Sequence, residues 1–237
     1  MSIGNNQIEE SQKNSLSQPR LLRDLIIVAS PIIIMGVIGN LIEQNLLVDL
    51  GYLLMIVLGS ILLKFQSNSW AKIGLNYPSS WIRTILLGIG SFIGAIFLFV
   101  AVQVIFFAIF NALGLVPSEV DQSRFNPIQG NFPLLLLMII LAWTTIAFGE
   151  ELFFRSFLIS RMQDIASIKR WHTILIAGTI FGLAHFAEGP IGIIANASFG
   201  IFFGWVFVKS SRNLWITIIG HGILNTMRFI ILFYGIQ

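Results

Sequence analysis

Long apolar runs separated by short polar breaks constrain the fold of this 237-residue chain more than any other feature. A helix needs about 20 consecutive apolar residues to cross a bilayer. Seven runs approach or exceed that length: 25–42, 46–63, 82–110, 133–152, 172–188, 191–208 and 214–234. Only 11% of the residues are charged, against about a quarter in a soluble domain. The pattern predicts an all-α, polytopic transmembrane helix bundle with about seven spans, and six to eight remain compatible with it.

The chain divides into a polar tail and one membrane domain. Residues 1–24 are expected to form a cytosolic tail, and residues 25–237 a single transmembrane domain. The second run is the weakest, because Asp49 lies near its start. The fourth is expected to continue as one helix to about Met162, since "ELFFRSFLISRM" contains no helix breaker.

The positions of the basic residues predict the topology. With the N-terminus inside, twelve of the fourteen Lys and Arg residues fall in inner segments, and Arg124 and Arg228 fall elsewhere. The loop at 164–170 is then cytosolic and the loop at 116–130 external. The protein is expected in a prokaryotic plasma membrane, with the lipid bilayer as its environment.

Composition also excludes several classes of chemistry and partner. The chain has no cysteine, which excludes disulfides and thiol nucleophiles. No basic run with interleaved aromatic residues is present, so a nucleic-acid partner is not expected. The sequence leaves the oligomeric state open.

The segment "GEELFFR" places charged groups inside an otherwise apolar run. Glu151 and Arg155 are four residues apart, so they share a helix face and are expected to pair. Glu150 points about 100° away from Glu151 on an α-helix. An acidic group without a local partner at this depth needs a polar partner from another helix.

Two later segments contain polar residues that could be this partner. "FGLAH" puts Phe181 and His185 on one helix face, and "HGILN" does the same for His221 and Asn225. Counted from the cytosolic boundary, Glu150, His185 and His221 lie roughly 16, 21 and 14 Å along their helices. All three therefore come near the middle of a core about 30 Å thick, where we expect them to form a functional site.

The three segments match the patterns EExxxR, FxxxH and HxxxN, in order and within about 80 residues. With them the chain resembles the CPBP (CAAX protease and bacteriocin-processing) family of intramembrane proteases, which includes CAAX prenyl endopeptidases and Abi-like proteins. The resemblance covers about 144–228, and the catalytic core is expected at about 133–234.

The resemblance implies hydrolysis of a peptide bond inside the membrane. Glu150, as general base, and His185 would hold and activate a water molecule, and His221 and Asn225 would stabilise the oxyanion. Glu151 and Arg155 are expected to support the site, and Phe181 to pack beside it. The substrate is expected to be a membrane-associated peptide or membrane protein; a prenylated protein is less expected in a prokaryote.

The role of a metal stays open at this point. The sequence lacks HExxH, the usual arrangement of zinc peptidases, and the preferred hypothesis needs no cofactor. A divalent ion such as zinc would have Glu150, His185 and His221 as its ligands.

A different class of function also remains open. The chain could be a non-catalytic membrane scaffold, or a transporter that uses Glu150, His185 and His221 as a proton relay. Asn225 discriminates between them, because a proton relay has no need of an amide on that face and an oxyanion site does.

Arg228 lies on the same helix face as His221 and Asn225. An arginine inside a span usually faces the bundle interior or a wet cavity. One interpretation is structural: an ion pair with Asp49 or Glu188, or snorkelling toward the outer surface. The other is a binding site for a carboxylate of the substrate.

Overall fold

The computed structural model describes residues 18–41, 45–115, 123–164 and 168–236, and within these ranges its regular secondary structure is helical. The helices, numbered in chain order, are α1 (Gln18–Leu41), α2 (Asn45–Phe65), α3 (Trp81–Ala112), α4 (Phe132–Gln163), α5 (Arg170–Ala184), α6 (Gly189–Lys209) and α7 (Leu214–Phe233). Six of them, all except α5, are long and apolar enough to cross a membrane. The predicted all-α, multi-pass membrane bundle is confirmed, and so is the continuation of α4 to about Met162, since it ends at Gln163.

The fifth helix is shorter than the sequence predicts. We expected a span at 172–188, but α5 has 15 residues, which is about 22 Å of helix against a core of about 30 Å. The helix ends because His185 leaves the helical conformation, with φ −95° and ψ 28°. A short 3₁₀ turn, Phe186–Glu188, then leads to Gly189, whose φ of 72° favours glycine.

Helices α5 and α6 form a tightly packed antiparallel hairpin. A Cβ atom added to Gly178 would lie 2.6 Å from the backbone nitrogen of Ile201, and one added to Gly200 would lie 2.8 Å from the Cα of Gly178. Glycine at both positions lets the two backbones approach closely. The start of α5 and the end of α6 lie at the same end of the bundle. The short α5 therefore does not change the side of the membrane on which α7 begins.

Polar side chains connect the helices at the end of the bundle where α5 begins and α6 ends. Gln66 donates to Asp24 at 2.8 Å and accepts from Arg161, while Arg212 donates to Gln163. The ends of α2, α4 and α6 therefore lie together, as the basic-residue count requires. Which side of the membrane they face remains a prediction, and residues 116–122 and 165–167 of the two diagnostic loops lie outside the described ranges.

The first helix begins earlier than expected. It starts at Gln18, inside the segment 1–24 assigned to the tail, and residues 1–17 lie outside the described ranges. Leu21 is 8% exposed and Asp24 is fully buried. Asp24 is tolerated there because Arg23 and Gln66 donate hydrogen bonds to it.

Candidate active site

The centre of α4 departs from regular helical geometry on both sides of the two glutamates. Ala142–Ala147 and Leu152–Ile159 form π-helical turns, and Phe148–Glu151 between them is α-helical. A π turn bonds residue i to i+5, which rotates the side chains that follow, and such turns are frequent at functional sites. Both carboxylates are in the core, with Glu150 7% exposed and Glu151 fully buried.

Glu151 and Arg155 form the ion pair that their spacing predicts. Nη1 of Arg155 lies 3.1 Å from Oε1 of Glu151, and the arginine is 1% exposed. Its guanidinium also lies 4.6 Å from the centre of the Phe181 ring. A buried guanidinium is costly unless it is paired. Here the Glu151 carboxylate and the face of the Phe181 ring both stabilise its charge.

His221 lies between the two glutamates. The sequence analysis did not predict its contact with Glu151. Its Nδ1 is 3.0 Å from Oε1 of Glu151, and its Nε2 is 3.8 Å from Oε2 of Glu150. A carboxylate accepts, so the Nδ1–H donates to Glu151. The second distance is too long for a direct hydrogen bond and is one that a water molecule can bridge.

Tyr52 of α2 is a member of the site that the sequence reasoning missed. Its hydroxyl donates to Oε1 of Glu150 at 3.2 Å, and the residue is 6% exposed. The available signal was its position three residues after Asp49, on the same helix face. Asp49 accepts a hydrogen bond from Thr145 of α4, so Asp49 and Tyr52 of α2 both turn toward α4.

His185 occupies the end of α5 and is half-buried. Its Nδ1 lies 2.9 Å from the carbonyl oxygen of Phe181. Since a carbonyl only accepts, Nδ1 carries the proton and Nε2 keeps its lone pair when the ring is neutral. The Phe181 ring contacts both imidazoles, with ring centres 4.7 Å from His185 and 6.3 Å from His221. It therefore packs beside the site, as expected.

Asn225 lies one helical turn beyond His221 on α7. Its Nδ2 is buried and has no hydrogen-bond partner within the described residues. Buried polar atoms without a partner are few in native proteins and call for an explanation. Oε2 of Glu150, Oε2 of Glu151 and Nη2 of Arg155 are likewise buried without a hydrogen-bond partner within the described residues. A polar ligand in the site would satisfy them.

Arg228 lies further along the same face and is 40% exposed. Its Nη1 is 3.9 Å from Oε1 of Glu188, and its guanidinium lies 5.1 Å from the Phe125 ring centre. Of the two proposed partners Glu188 is the one observed, since Asp49 is bonded to Thr145. Oε2 of Glu188 accepts from Asn196 at 2.8 Å.

The residues that would bind a metal do not form a ligand set. Among the described residues, no group of three or more His, Asp or Glu side chains is arranged to hold a metal ion. His185 turns its Nδ1 to a backbone carbonyl, while both nitrogens of His221 face carboxylates. The set Glu150, His185 and His221 therefore does not fit a bound zinc ion in this arrangement.

Comparison with known proteins adds evidence on the same segment. Residues 132–227 match the family model described as type II CAAX prenyl endopeptidase Rce1-like. Comparisons with curated proteins and with solved structures give no match. The matched segment runs from the start of α4 into α7 and contains all three motifs and the contacts among them. Over this segment, which is less than half of the chain, the protein is similar to the Rce1-like type II CAAX prenyl endopeptidases.

Proposed function

We propose that the protein is an intramembrane endopeptidase that hydrolyses a peptide bond of a membrane-associated peptide or protein, with water activated by Glu150. One observation carries the proposal. The unpartnered Oε2 of Glu150 faces Nε2 of His221 at 3.8 Å, inside the segment that matches the endopeptidase family.

Glu150 is proposed as the general base. Its Oε1 is already held by Tyr52, so Oε2 is the oxygen available to accept a proton from water. A carboxylate within hydrogen-bond reach of a water is a competent base. His185 would hold the same water through the lone pair of Nε2, because its Nδ1–H is committed to Phe181.

The reaction then proceeds by addition and elimination. The water oxygen attacks the scissile carbonyl carbon while its proton passes to Oε2 of Glu150. The carbonyl oxygen becomes an oxyanion. When the intermediate collapses, the C–N bond breaks and the carboxylic acid of Glu150 returns the proton to the leaving nitrogen. The products are a carboxylic acid and an amine, which then ionise to a carboxylate and an ammonium ion, and Glu150 is again a carboxylate.

His221 and Asn225 are proposed to stabilise the oxyanion. Asn225 offers an N–H without a partner, and His221 offers Nε2–H when both ring nitrogens are protonated. Glu150 and Glu151 on either side balance the charge of that form. Donors fixed in a site with little water stabilise developing charge far better than solvent does. The alternative function, a proton relay, gives the Asn225 amide no role.

We further propose that Arg228 binds a carboxylate of the substrate. It shares the face of α7 with Asn225, is 40% exposed, and its contact with Glu188 at 3.9 Å is longer than a hydrogen bond. Arginine binds a carboxylate with two parallel hydrogen bonds. A peptide C-terminus or an acidic side chain would then set which bond meets the water.

The substrate class needs a direct experiment. Membranes from cells that carry the natural chain or the Glu150→Gln variant would be compared by mass spectrometry of peptide termini. Asp164→Asn, which removes a carboxylate at the far end of α4, is the matched control. We expect termini that are present with the natural chain and the control and absent with Glu150→Gln; identical sets in all three would overturn the proposal.

Purified protein would identify the lipid requirement. The matched family is described by its action on CAAX prenyl substrates, whereas we propose the broader class of membrane-associated peptides in a prokaryotic plasma membrane. A farnesylated peptide and the same peptide without the lipid separate the two. Cleavage of both supports the broader class, and cleavage of the farnesylated peptide alone restricts the enzyme to prenylated substrates.

A further inference from the structure

A residue outside the family segment touches the proposed base. Tyr52 belongs to α2, about 80 residues before the matched segment 132–227 begins, yet its hydroxyl lies 3.2 Å from Oε1 of Glu150. The residue is 6% exposed. A buried tyrosine hydroxyl needs a hydrogen-bond partner, and the described contacts give it this carboxylate.

The two helices approach closely at this point because residue 149 is glycine. A Cβ atom at Gly149 would lie 2.9 Å from both Cβ and Cδ1 of Tyr52, a distance that real Cβ atoms do not tolerate. The residue before the base therefore has no side chain where the tyrosine ring packs. A second contact, from Thr145 to Asp49, joins the same two helices about one turn away.

The contact distinguishes the two oxygens of Glu150. Oε1 accepts the hydrogen bond from Tyr52, and Oε2 has no partner within the described residues and faces Nε2 of His221. A carboxylate with one oxygen fixed cannot rotate freely about its terminal torsion, which is otherwise soft. The free oxygen is thereby held in one direction.

We infer that Tyr52 is a positioning residue that orients Glu150, so that Oε2 is the oxygen that takes the proton from water. The inference rests on the proposed function. It assigns part of the catalytic geometry to α2, so the segment 132–227 alone does not contain the complete site. General-base catalysis depends on this alignment, and a displacement of about 1 Å can lower a rate about 100-fold.

The test is Tyr52→Phe in the purified full-length protein, with Thr145→Val as the matched control. The phenylalanine keeps the ring against Gly149 and removes only the hydroxyl. The valine removes the other hydrogen bond between α2 and α4 without touching Glu150. We expect kcat to fall about 10- to 100-fold in Tyr52→Phe, with KM and the melting temperature nearly unchanged, and kcat to stay within about twofold in Thr145→Val.

The outcomes separate this inference from the proposed function. An unchanged kcat in Tyr52→Phe, together with loss of activity in Glu150→Gln, overturns the positioning role and leaves the general base in place. Equal losses in Tyr52→Phe and Thr145→Val, with matching drops in melting temperature, also overturn it, because Tyr52 would then act only by joining the helices. Full activity in Glu150→Gln instead contradicts the proposed function itself.

Discussion

Nδ1 of His221 donates to Oε1 of Glu151 at 3.0 Å, and the same oxygen lies 3.1 Å from Nη1 of Arg155. The second glutamate of the motif therefore connects the buried cation to the imidazole, and this contact orients His221 so that its Nε2 points at Glu150. The adjacent glutamates consequently have different contacts, and we propose that Glu150 activates the water while Glu151 holds His221 in place.

The first prediction concerns Glu151. Replacing it with glutamine leaves the fully buried Arg155 without its charge partner, and breaking a buried pair typically costs about 3–5 kcal/mol. We expect a large drop in melting temperature, partly recovered in the double variant with Arg155→Met. Activity should not recover to the same extent, because His221 still lacks its anionic partner. A double variant less stable than Glu151→Gln would contradict the pairing.

The second prediction separates substrate binding by Arg228 from a tether to Glu188. In detergent-stable protein, Arg228→Met should raise KM on a peptide with a free C-terminus and leave KM on the amidated peptide nearly unchanged. Arg228→Lys should restore little, since lysine lacks the paired donors. The matched control is Glu188→Gln, which breaks the same 3.9 Å contact and keeps the guanidinium. Equal losses in Arg228→Met and Glu188→Gln on both peptides would assign Arg228 to structure alone.

The third prediction concerns metal dependence. Because Glu150, His185 and His221 do not form a metal-ligand set in the described structure, we expect hydrolysis by purified protein to survive a strong chelator. Added zinc should not raise the rate of the treated enzyme. Loss of activity with the chelator and recovery with zinc would require a rearranged site and would contradict the water activation proposed here.

The fourth prediction is topological, and the absence of cysteine makes single-cysteine labelling unambiguous. Ser79 precedes α3 at the end of the bundle that holds the basic residues, and Ser123 begins the 3₁₀ turn before α4; both are exposed. In intact cells an impermeant reagent should label Ser123→Cys and not Ser79→Cys. The reverse pattern would invert the orientation of the whole bundle.

Some of this structure could be predicted from sequence because simple spacing determines it. Apolar runs of the right length identified the six helices that are long enough to cross a membrane. The four-residue spacing identified the Glu151–Arg155 contact. The contacts of His221 with Glu151 and of Tyr52 with Glu150 join residues 70 and 98 positions apart. No local pattern encodes such pairs. Tyr52 in particular was hidden because tyrosine is an ordinary residue in a membrane helix.

Two local features of the backbone were also beyond prediction. The π-helical turns around Phe148–Glu151 contain no proline or glycine to mark them, and they arise from packing rather than propensity. Helix α5 ends at Ala184, and the next glycine along the chain, Gly189, comes five residues later. The apolar pattern continues through both places, so it predicts a regular helix where the structure has an irregular one beside the candidate site.

The central claim is that Glu150 activates the water, and purified Glu150→Gln protein tests it most directly. The amide is nearly isosteric and can still accept a hydrogen bond from Tyr52, so the melting temperature should stay close to that of the natural chain. Without the base, kcat on a cleavable peptide should fall by about 100- to 10,000-fold. Cleavage at the natural rate by a folded Glu150→Gln protein would contradict the account.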